Sequence, residues 1–274
     1  VGDLSFNISG QIKRHPVLYN FYFNKPKKLV GKVALLSSNA HQRYYHWMFD
    51  ILPRINLLQR SNINVDAYII NNSLNFQKES LKIIGLPQDK IINPNQNSHF
   101  IIEELIVPSL PGASNIVTKE SCDFLRKTFI KSSYKSSLNL YLSRKDAATR
   151  RIVNEDETIS LLEKYDFKII TLDNLTVEEQ VDIFSRAKII VGPHGAGFSN
   201  IVFCNSGADI IELMPENYFN PCFWSISNAI SLNHKIIECR PKYFESNRKI
   251  FKEYIKHDIF VDLNELESVL KETL

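Results

Sequence analysis

The chain has 274 residues, 44% of them hydrophobic and 23% charged, with a formal net charge of +3. That length holds one large core or two moderate ones, and so small a positive balance gives no support to nucleic acid as a partner. No run of about 18 apolar residues occurs, so no membrane span is predicted, and Cys122, Cys204, Cys222 and Cys239 form no Cys-x-x-Cys pair, which argues against structural zinc and for buried free thiols.

In chain order, the first 30 residues alternate like a hairpin and carry no basic segment followed by an apolar one, so no secretory signal is visible. The expectation is a cytoplasmic protein, with any membrane association left to partners or to a segment outside this sequence. The basic cluster Lys25–Lys28 reads as a solvated turn. Strand-like and helix-like patterns then alternate: strand Lys32–Leu36, helix Tyr44–Gln59, strand Ala67–Ile70, helix Phe76–Ile84, strand Ile101–Val107 and helix Ser121–Lys131. The polar stretch Lys131–Ser137 suits a linker. A second alternation follows. Leu138–Leu142 is a strand, and Asn154 with Glu157 has the spacing of a capping box opening a helix through Lys164. Phe167–Leu172 is a strand, and Thr176 with Glu179 repeats the capping-box spacing ahead of another helix. Strands Ile189–Val191, Asp209–Leu213 and Lys235–Glu238, a helix over Phe223–Ile230 and an amphipathic helix over Asp262–Leu274 complete the chain. Strands separated by helices mean βαβ units and mainly parallel sheets. The linker divides an N-terminal Rossmann-like domain, residues 1–135, from a C-terminal one, residues 136–274, with the last helix free to pack back on the N-terminal domain.

Three segments carry residues suited to chemistry. In KIIVGPHGAGFSN (Lys188–Asn200) a buried strand runs into Gly192, Gly195 and Gly197, with His194 among them. A strand that feeds a helix through such a turn leaves backbone N–H groups unpaired at the helix start, where they and the helix dipole favour an anion such as phosphate. A tight turn of small residues reads the same way. The spacing is neither the dinucleotide fingerprint nor a Walker sequence, so ordinary NAD binding and P-loop hydrolysis have little support. In NAHQRYYHWMFDILPR (Asn39–Arg54), His46 and Asp50 share one helix face and Arg54 continues that line, with Pro53 expected to kink the helix. A carboxylate one turn from an imidazole can fix its tautomer, the wiring of a general base; a surface His–Asp pair has the same spacing. In YLSRKDAATRRIVNEDE (Tyr141–Glu157), Arg144 and Lys145 follow the carboxyl end of a strand, and Arg150 and Arg151 lie in the loop beyond. Guanidinium groups there suit phosphate oxygens. Glu212, ending another strand, could accept two ribose hydroxyls or be a core-edge glutamate. No D-x-D occurs, and no histidine, cysteine or carboxylate set has metal-ligand spacing, so no metal or other cofactor is expected.

Together these segments resemble glycosyltransferase family 61: YHWMFDILPRINLL at Tyr45–Leu58, YLSRKDAATRRIVNEDE, and most specifically GPHGAGFSNIVFCNSGADIIELMPENY at Gly192–Tyr218, which supplies His194, Asn200, Phe203, Gly207, Glu212 and Pro215 of the family series. The resemblance implies an α/β chain of GT-B architecture, with the donor nucleotide on the C-terminal domain and the acceptor against the N-terminal one. It implies an inverting transfer of a sugar from a nucleoside-diphosphate sugar, by family habit UDP-linked (UDP-xylose or UDP-GlcNAc), to a hydroxyl of a glycan acceptor in surface polysaccharide or glycoprotein-glycan synthesis. Carried over by position, His46 and Asp50 map to the family's H…D helix, with His46 as acceptor base oriented by Asp50. Arg144, Lys145, Arg151, His194, Gly195, Ala196, Gly197, Asn200 and Glu212 map to the donor side. Two readings from other classes stand beside this one: a catalytically inactive sugar-nucleotide-binding module, and a GT-B-like epimerase or phosphorylase.

Overall fold

A computed structural model describes residues 24–95, 97–113, 115–216, 218–242 and 257–274; the hairpin expected at the start of the chain falls, for residues 1–23, outside the described residues. The chain divides into two compact units. The first is built from the described residues up to Ala113 with Asp123–Phe129, and the second from the described residues between Asn115 and Cys122 with Ile130–Leu274.

The first unit holds a four-stranded sheet of β1 (Lys27–Leu35), β2 (Ala67–Ile69), β3 (Ile91–Ile92) and β4 (Phe100–Ile106), in the order β3-β2-β1-β4 and parallel throughout. Strands β1 to β3 build outward in one direction and β4 returns on the other side of β1. The carboxyl ends of β1 and β4 therefore flank a point where the winding reverses, the place where open α/β sheets take ligands. β1 starts earlier than its apolar run suggests, because a bulge at Gly31 (φ +84°) lets it continue; a Cβ there would lie 2.3 Å from Asp66 Oδ2, which accepts the Lys32 N–H at 2.8 Å.

The helical pattern after β1 is interrupted rather than merely kinked. It comprises α1 (Tyr44–His46), a π turn (Trp47–Ile51) and α2 (Leu52–Ser61). Pro53 lacks an N–H and its ring would strike the carbonyl four residues back; widening the turn before it relieves both conflicts. Trp47, Met48, Ile51, Leu52 and Ile55 are buried, as their spacing predicts, and Trp47 Nε1 donates to Ser80 Oγ at 2.8 Å on α3 (Asn75–Ile84). Arg54 departs from its expected place on a polar face: it is only 2% exposed. Its guanidinium donates to the carbonyls of Leu35 (2.8 Å), Leu36 (3.1 Å) and Pro108 (3.1 Å), tying the end of β1 to the segment after β4. Burial pushes its pKa down to about 10, against the opposing pull of Asp50.

The division between the units runs through α4 (Lys119–Phe129). The second unit is laid down as β5 (Leu138–Leu142), α5 (Glu155–Glu163), β6 (Phe167–Ile170), α6 (Val177–Ser185), β7 (Ala187–Pro193), β8 (Asp209–Pro215), α7 (Cys222–Ile230), β9 (Asn233–Pro241), β10 (Ile259–Phe260) and α8 (Leu263–Thr273). Its six strands are ordered β10-β9-β8-β7-β5-β6; β10 is antiparallel to β9 and the others pair in parallel. The winding reverses between β5 and β7, so the loops leaving those two strands are neighbours. Tyr141, Phe167, Val191, Ile211 and Ile237 form its core. The closing helix α8 adds Leu266 and Leu270 to that same core. All four cysteines are buried thiols outside any disulfide.

The Thr176–Glu179 capping box forms, with reciprocal bonds of 3.2 and 2.8 Å. The expected Asn154–Glu157 box does not. Asn154 bonds instead to both backbone groups of Val261, accepting from its N–H at 3.0 Å and donating to its carbonyl at 2.9 Å, a more demanding task in a buried site. Losing that pair strands two buried backbone groups. Asn154→Ala should cost about 1–3 kcal/mol, read as a lower urea midpoint at unchanged slope.

Candidate active site

Where β5 and β7 end, at the winding reversal of the second unit, Arg144 meets Gly195. A Cβ on Gly195 would lie 2.0 Å from Arg144 Nη1, so the guanidinium rests on the glycine backbone and any larger residue would displace it. Arg144 Nη2 donates to the Thr149 carbonyl at 3.1 Å, while Nε is buried with no hydrogen-bond partner among the described residues. Buried donors are nearly always satisfied, and an orphan calls for an explanation such as an absent ligand. Burial pushes the Arg144 pKa down to about 10, and the charge of Arg150 adds to the effect while Asp173 opposes it. Arg144 stays cationic at neutral pH.

Of the paired arginines beyond β5, the sequence expectation chose the outer one. Arg151 is 51% exposed and held by Asp258 at 2.8 Å on the surface. Arg150 turns inward: its Nε donates to the His194 carbonyl at 2.9 Å, and its guanidinium lies 6.0 Å from the centre of the Tyr218 ring. Burial lowers its pKa, with Tyr218, Cys222 and Glu212 opposing. The choice between the two depends on a backbone turn at Arg150 (φ +56°) that composition does not reveal. Lys145 is exposed beside Arg144.

The glycine-rich segment opens a 3₁₀ helix, Ala196–Phe203, rather than an α-helix. Its first hydrogen bond runs from the Phe198 N–H to the Gly195 carbonyl at 2.9 Å, so the N–H groups of Ala196 and Gly197 precede the helical ladder, as at any helix start. Ala196 is exposed and Gly197 half-buried. Asn200, expected on the donor side, is buried behind this helix and donates to Gln180 Oε1 at 2.8 Å, bracing it on α6.

Of the two readings of Glu212, ribose acceptor or core-edge glutamate, its surroundings are those of the second: its side chain is 0% exposed. One carboxylate oxygen pairs with His194 Nδ1, and the other accepts from His234 Nε2 at 3.0 Å. His234 Nδ1 lies 2.7 Å from Ser227 Oγ. Burial alone would raise the Glu212 pKa, but the two histidines more than offset it and the net shift is downward. His194 is buried too, edge-on to Tyr218 at 5.3 Å and against Phe223 at 4.8 Å. His234 was not legible as a site residue, because only the β8–β9 pairing brings it to Glu212.

In the first unit, His46 Nδ1 and Asp50 Oδ2 are 2.6 Å apart and mostly shielded from solvent. His46 ends α1 and Asp50 lies in the π turn, so the pair spans the change of helical pitch. Arg54, whose charge acts on Asp50, stands one turn further on. Among the described residues no group of three or more His, Cys, Asp or Glu side chains is placed to hold a metal ion, and no helix is long and apolar enough to cross a membrane.

These features define a two-unit α/β protein whose second unit presents arginines and backbone amides at a sheet switch point. Residues 44–211, more than half of the chain, match the family described as Glycosyltransferase 61, and the chain belongs to that family. It is similar to the EGF domain-specific O-linked N-acetylglucosamine transferase of Drosophila melanogaster, 37% identical over 76 residues (27% of this chain, 14% of that protein). It is similar to the Alpha-1,3-arabinosyltransferase XAT3 of Oryza sativa subsp. japonica, 34% identical over 71 residues (24% of this chain, 12% of that protein). A third relative, the Beta-1,2-xylosyltransferase RCN11 of the same plant, is 26% identical over 141 residues (45% of this chain, 26% of that protein). The matched stretches thus cover about a quarter or less of these relatives' lengths.

Two outcomes follow from this geometry. Gly195→Ala should fold with a melting temperature close to wild type, because the obstructing atom is the far end of a flexible side chain, and a crystal structure should show the Arg144 guanidinium displaced. Because folding lowers the Glu212 pKa, the stability it confers is complete above its ordinary value of about 4.5 and is lost as pH falls through the lower folded value. Melting temperature measured from pH about 6 down to about 3 should fall in wild type and fall less steeply in Glu212→Gln.

Proposed function

We propose that this chain is an inverting glycosyltransferase of GT-B architecture. It moves a sugar from a UDP-linked donor to a hydroxyl of a glycan acceptor, in surface polysaccharide or glycoprotein-glycan synthesis. Family membership supports glycosyl transfer. The observation that carries the donor reading is the Arg144 guanidinium, packed on Gly195 with a buried Nε that has no acceptor among the described residues. A diphosphate supplies acceptor oxygens for such a fork and offsets the mutual repulsion of Arg144 and Arg150. Arg150 takes the second cationic role that the sequence suggested for Arg151.

His46 acts as the acceptor base. With Nδ1–H committed to Asp50, the basic lone pair of the imidazole is on Nε2, and the carboxylate stabilises the imidazolium formed when the acceptor hydroxyl gives up its proton. Arg54, held by three carbonyls, keeps a positive charge beside Asp50. The acceptor oxygen attacks the anomeric carbon opposite the leaving group, forming the new glycosidic bond as the bond to the diphosphate breaks, so configuration inverts. UDP leaves with the bonding pair. Arg144, Arg150 and the N–H groups of Ala196 and Gly197 meet the growing charge, electrostatic stabilisation by donors already in place. No metal is needed in this scheme, because the guanidinium groups supply the positive charge.

The sugars in the relatives' names (N-acetylglucosamine, arabinose and xylose) define the UDP-linked panel for thermal-shift and transfer assays. Release of UDP on acceptor addition supports transfer; binding without release at any acceptor supports the inactive module instead. His46→Ala should lower turnover by roughly 10²–10⁴-fold with UDP affinity retained. Arg144→Ala should weaken UDP binding roughly ten- to a hundredfold, the loss of a charge-assisted hydrogen bond. Turnover should persist in excess EDTA.

A further inference from the structure

Behind the arginines, the second unit carries a polar chain that the scheme above does not use: His194–Glu212–His234–Ser227, running from β7 through β8 and β9 to α7. Its two histidines are not equivalent. Both ring nitrogens of His234 are engaged inside the protein, by Glu212 and Ser227, and its side chain is buried. His194 uses only Nδ1, toward Glu212; among the described residues no hydrogen bond involves its Nε2. His194 directly precedes Gly195, against which Arg144 rests, and its own carbonyl accepts from Arg150. The residue thus lies beside both arginines through its backbone, with its ring almost wholly buried.

The chemistry of imidazole then restricts what His194 can do. A proton on Nδ1 is held by the buried carboxylate. If the ring is neutral, Nε2 presents a lone pair, which repels a phosphate oxygen. Only the imidazolium donates at both ends, to Glu212 and to an anion. A buried carboxylate without a compensating charge is costly, which favours the same state. Ser227 can donate to His234 Nδ1 and satisfy that ring while it stays neutral. The groups facing His194 are Glu212 on β8 with His234 behind it on β9, Arg150 and Arg144 from the loop after β5, Tyr218 after β8, and Cys222 and Phe223 at the start of α7. The arginines oppose a further cation, Glu212 favours it, and a bound diphosphate shifts the balance toward it.

We propose that His194 binds the donor diphosphate as an imidazolium, through Nε2–H, and that His234 is a positioning residue that keeps Glu212 ionised and aimed at Nδ1 of His194. This rests on the donor reading above. Diphosphate affinity is then linked to one proton: it is retained while His194 is protonated and is lost, roughly tenfold per pH unit, as pH rises through the pKa of that ring. His234→Ala removes one donor from Glu212, weakens its hold as an anion, and lowers the pH at which affinity falls. His234→Gln keeps an N–H for Glu212 and restores the midpoint.

The test is calorimetric titration of the full chain with UDP between pH about 6 and 9, with wild type, His194→Gln, His234→Ala and His234→Gln. The titration of UDP itself is common to all and cancels against His194→Gln. The expected result is a one-proton fall in wild type, absent in His194→Gln, moved to lower pH in His234→Ala and recovered in His234→Gln. Should His234→Ala fail to fold, ring ¹⁵N chemical shifts of wild type with and without UDP give the same answer: His194 doubly protonated in the complex supports the proposal, and a neutral ring overturns it. UDP bound with the same pH dependence in wild type and His194→Gln overturns this inference and leaves the donor reading intact. No UDP binding at any pH overturns both.

Discussion

The contact between the Arg144 guanidinium and the backbone of Gly195 is the constraint on which the candidate site depends. It requires a residue without a side chain at position 195, and it requires β5 and β7 to be neighbours so that their loops emerge side by side. It also holds a cation where its Nε has no acceptor among the described residues. Folding alone gives no reason to leave that donor buried and unsatisfied. An anionic ligand gives one, and the adjacent charge of Arg150 strengthens it.

The first unit uses an arginine at the corresponding place in its own sheet for a different end. Arg54 sits where the winding reverses between β1 and β4, and three carbonyls from those strand ends and their exits accept one hydrogen bond from each of its three nitrogens. Such an arginine serves architecture: it replaces a lid of water on exposed strand ends with a fixed cation, and it projects that charge toward Asp50. Two arginines, each at a switch point, thus differ in whether the described residues supply an acceptor for Nε.

Much of the fold was legible because period and punctuation agree. The alternation of short β-branched runs with helical spacing, and the Thr176–Glu179 cap, appear in the structure close to where the sequence places them. What was hidden is what depends on tertiary neighbours. Glu212 read as either a ribose ligand or a core-edge glutamate while the strand was expected to stop just past it; β8 runs on to Pro215, and the register of β9 against β8 brings His234 to its carboxylate. Asn154 has the spacing of a cap, yet the chain returning at Val261 claims its amide. Arg150 and Arg151 are identical in type and adjacent, and a single left-handed residue decides which points inward. The expected Pro53 kink proved to be a change of helical pitch. At the remaining site positions, Arg144, His194 and Gly195 come together, whereas Asn200 and Arg151 take structural and surface places.

The wide turn at Trp47–Ile51 accommodates one more residue than a regular spiral would over the same rise. The apolar stripes of α1 and α2 are therefore out of phase, and each is buried only because the intervening loop of backbone absorbs the mismatch. A chain one residue shorter in this segment could straighten into an ordinary α-helix, and everything upstream would swing by about 100° about the axis. Tyr45, buried ahead of the turn, would then rotate out of line with Leu52 and Ile55, which are buried beyond it. Length in this stretch is thus as restrictive as side-chain identity.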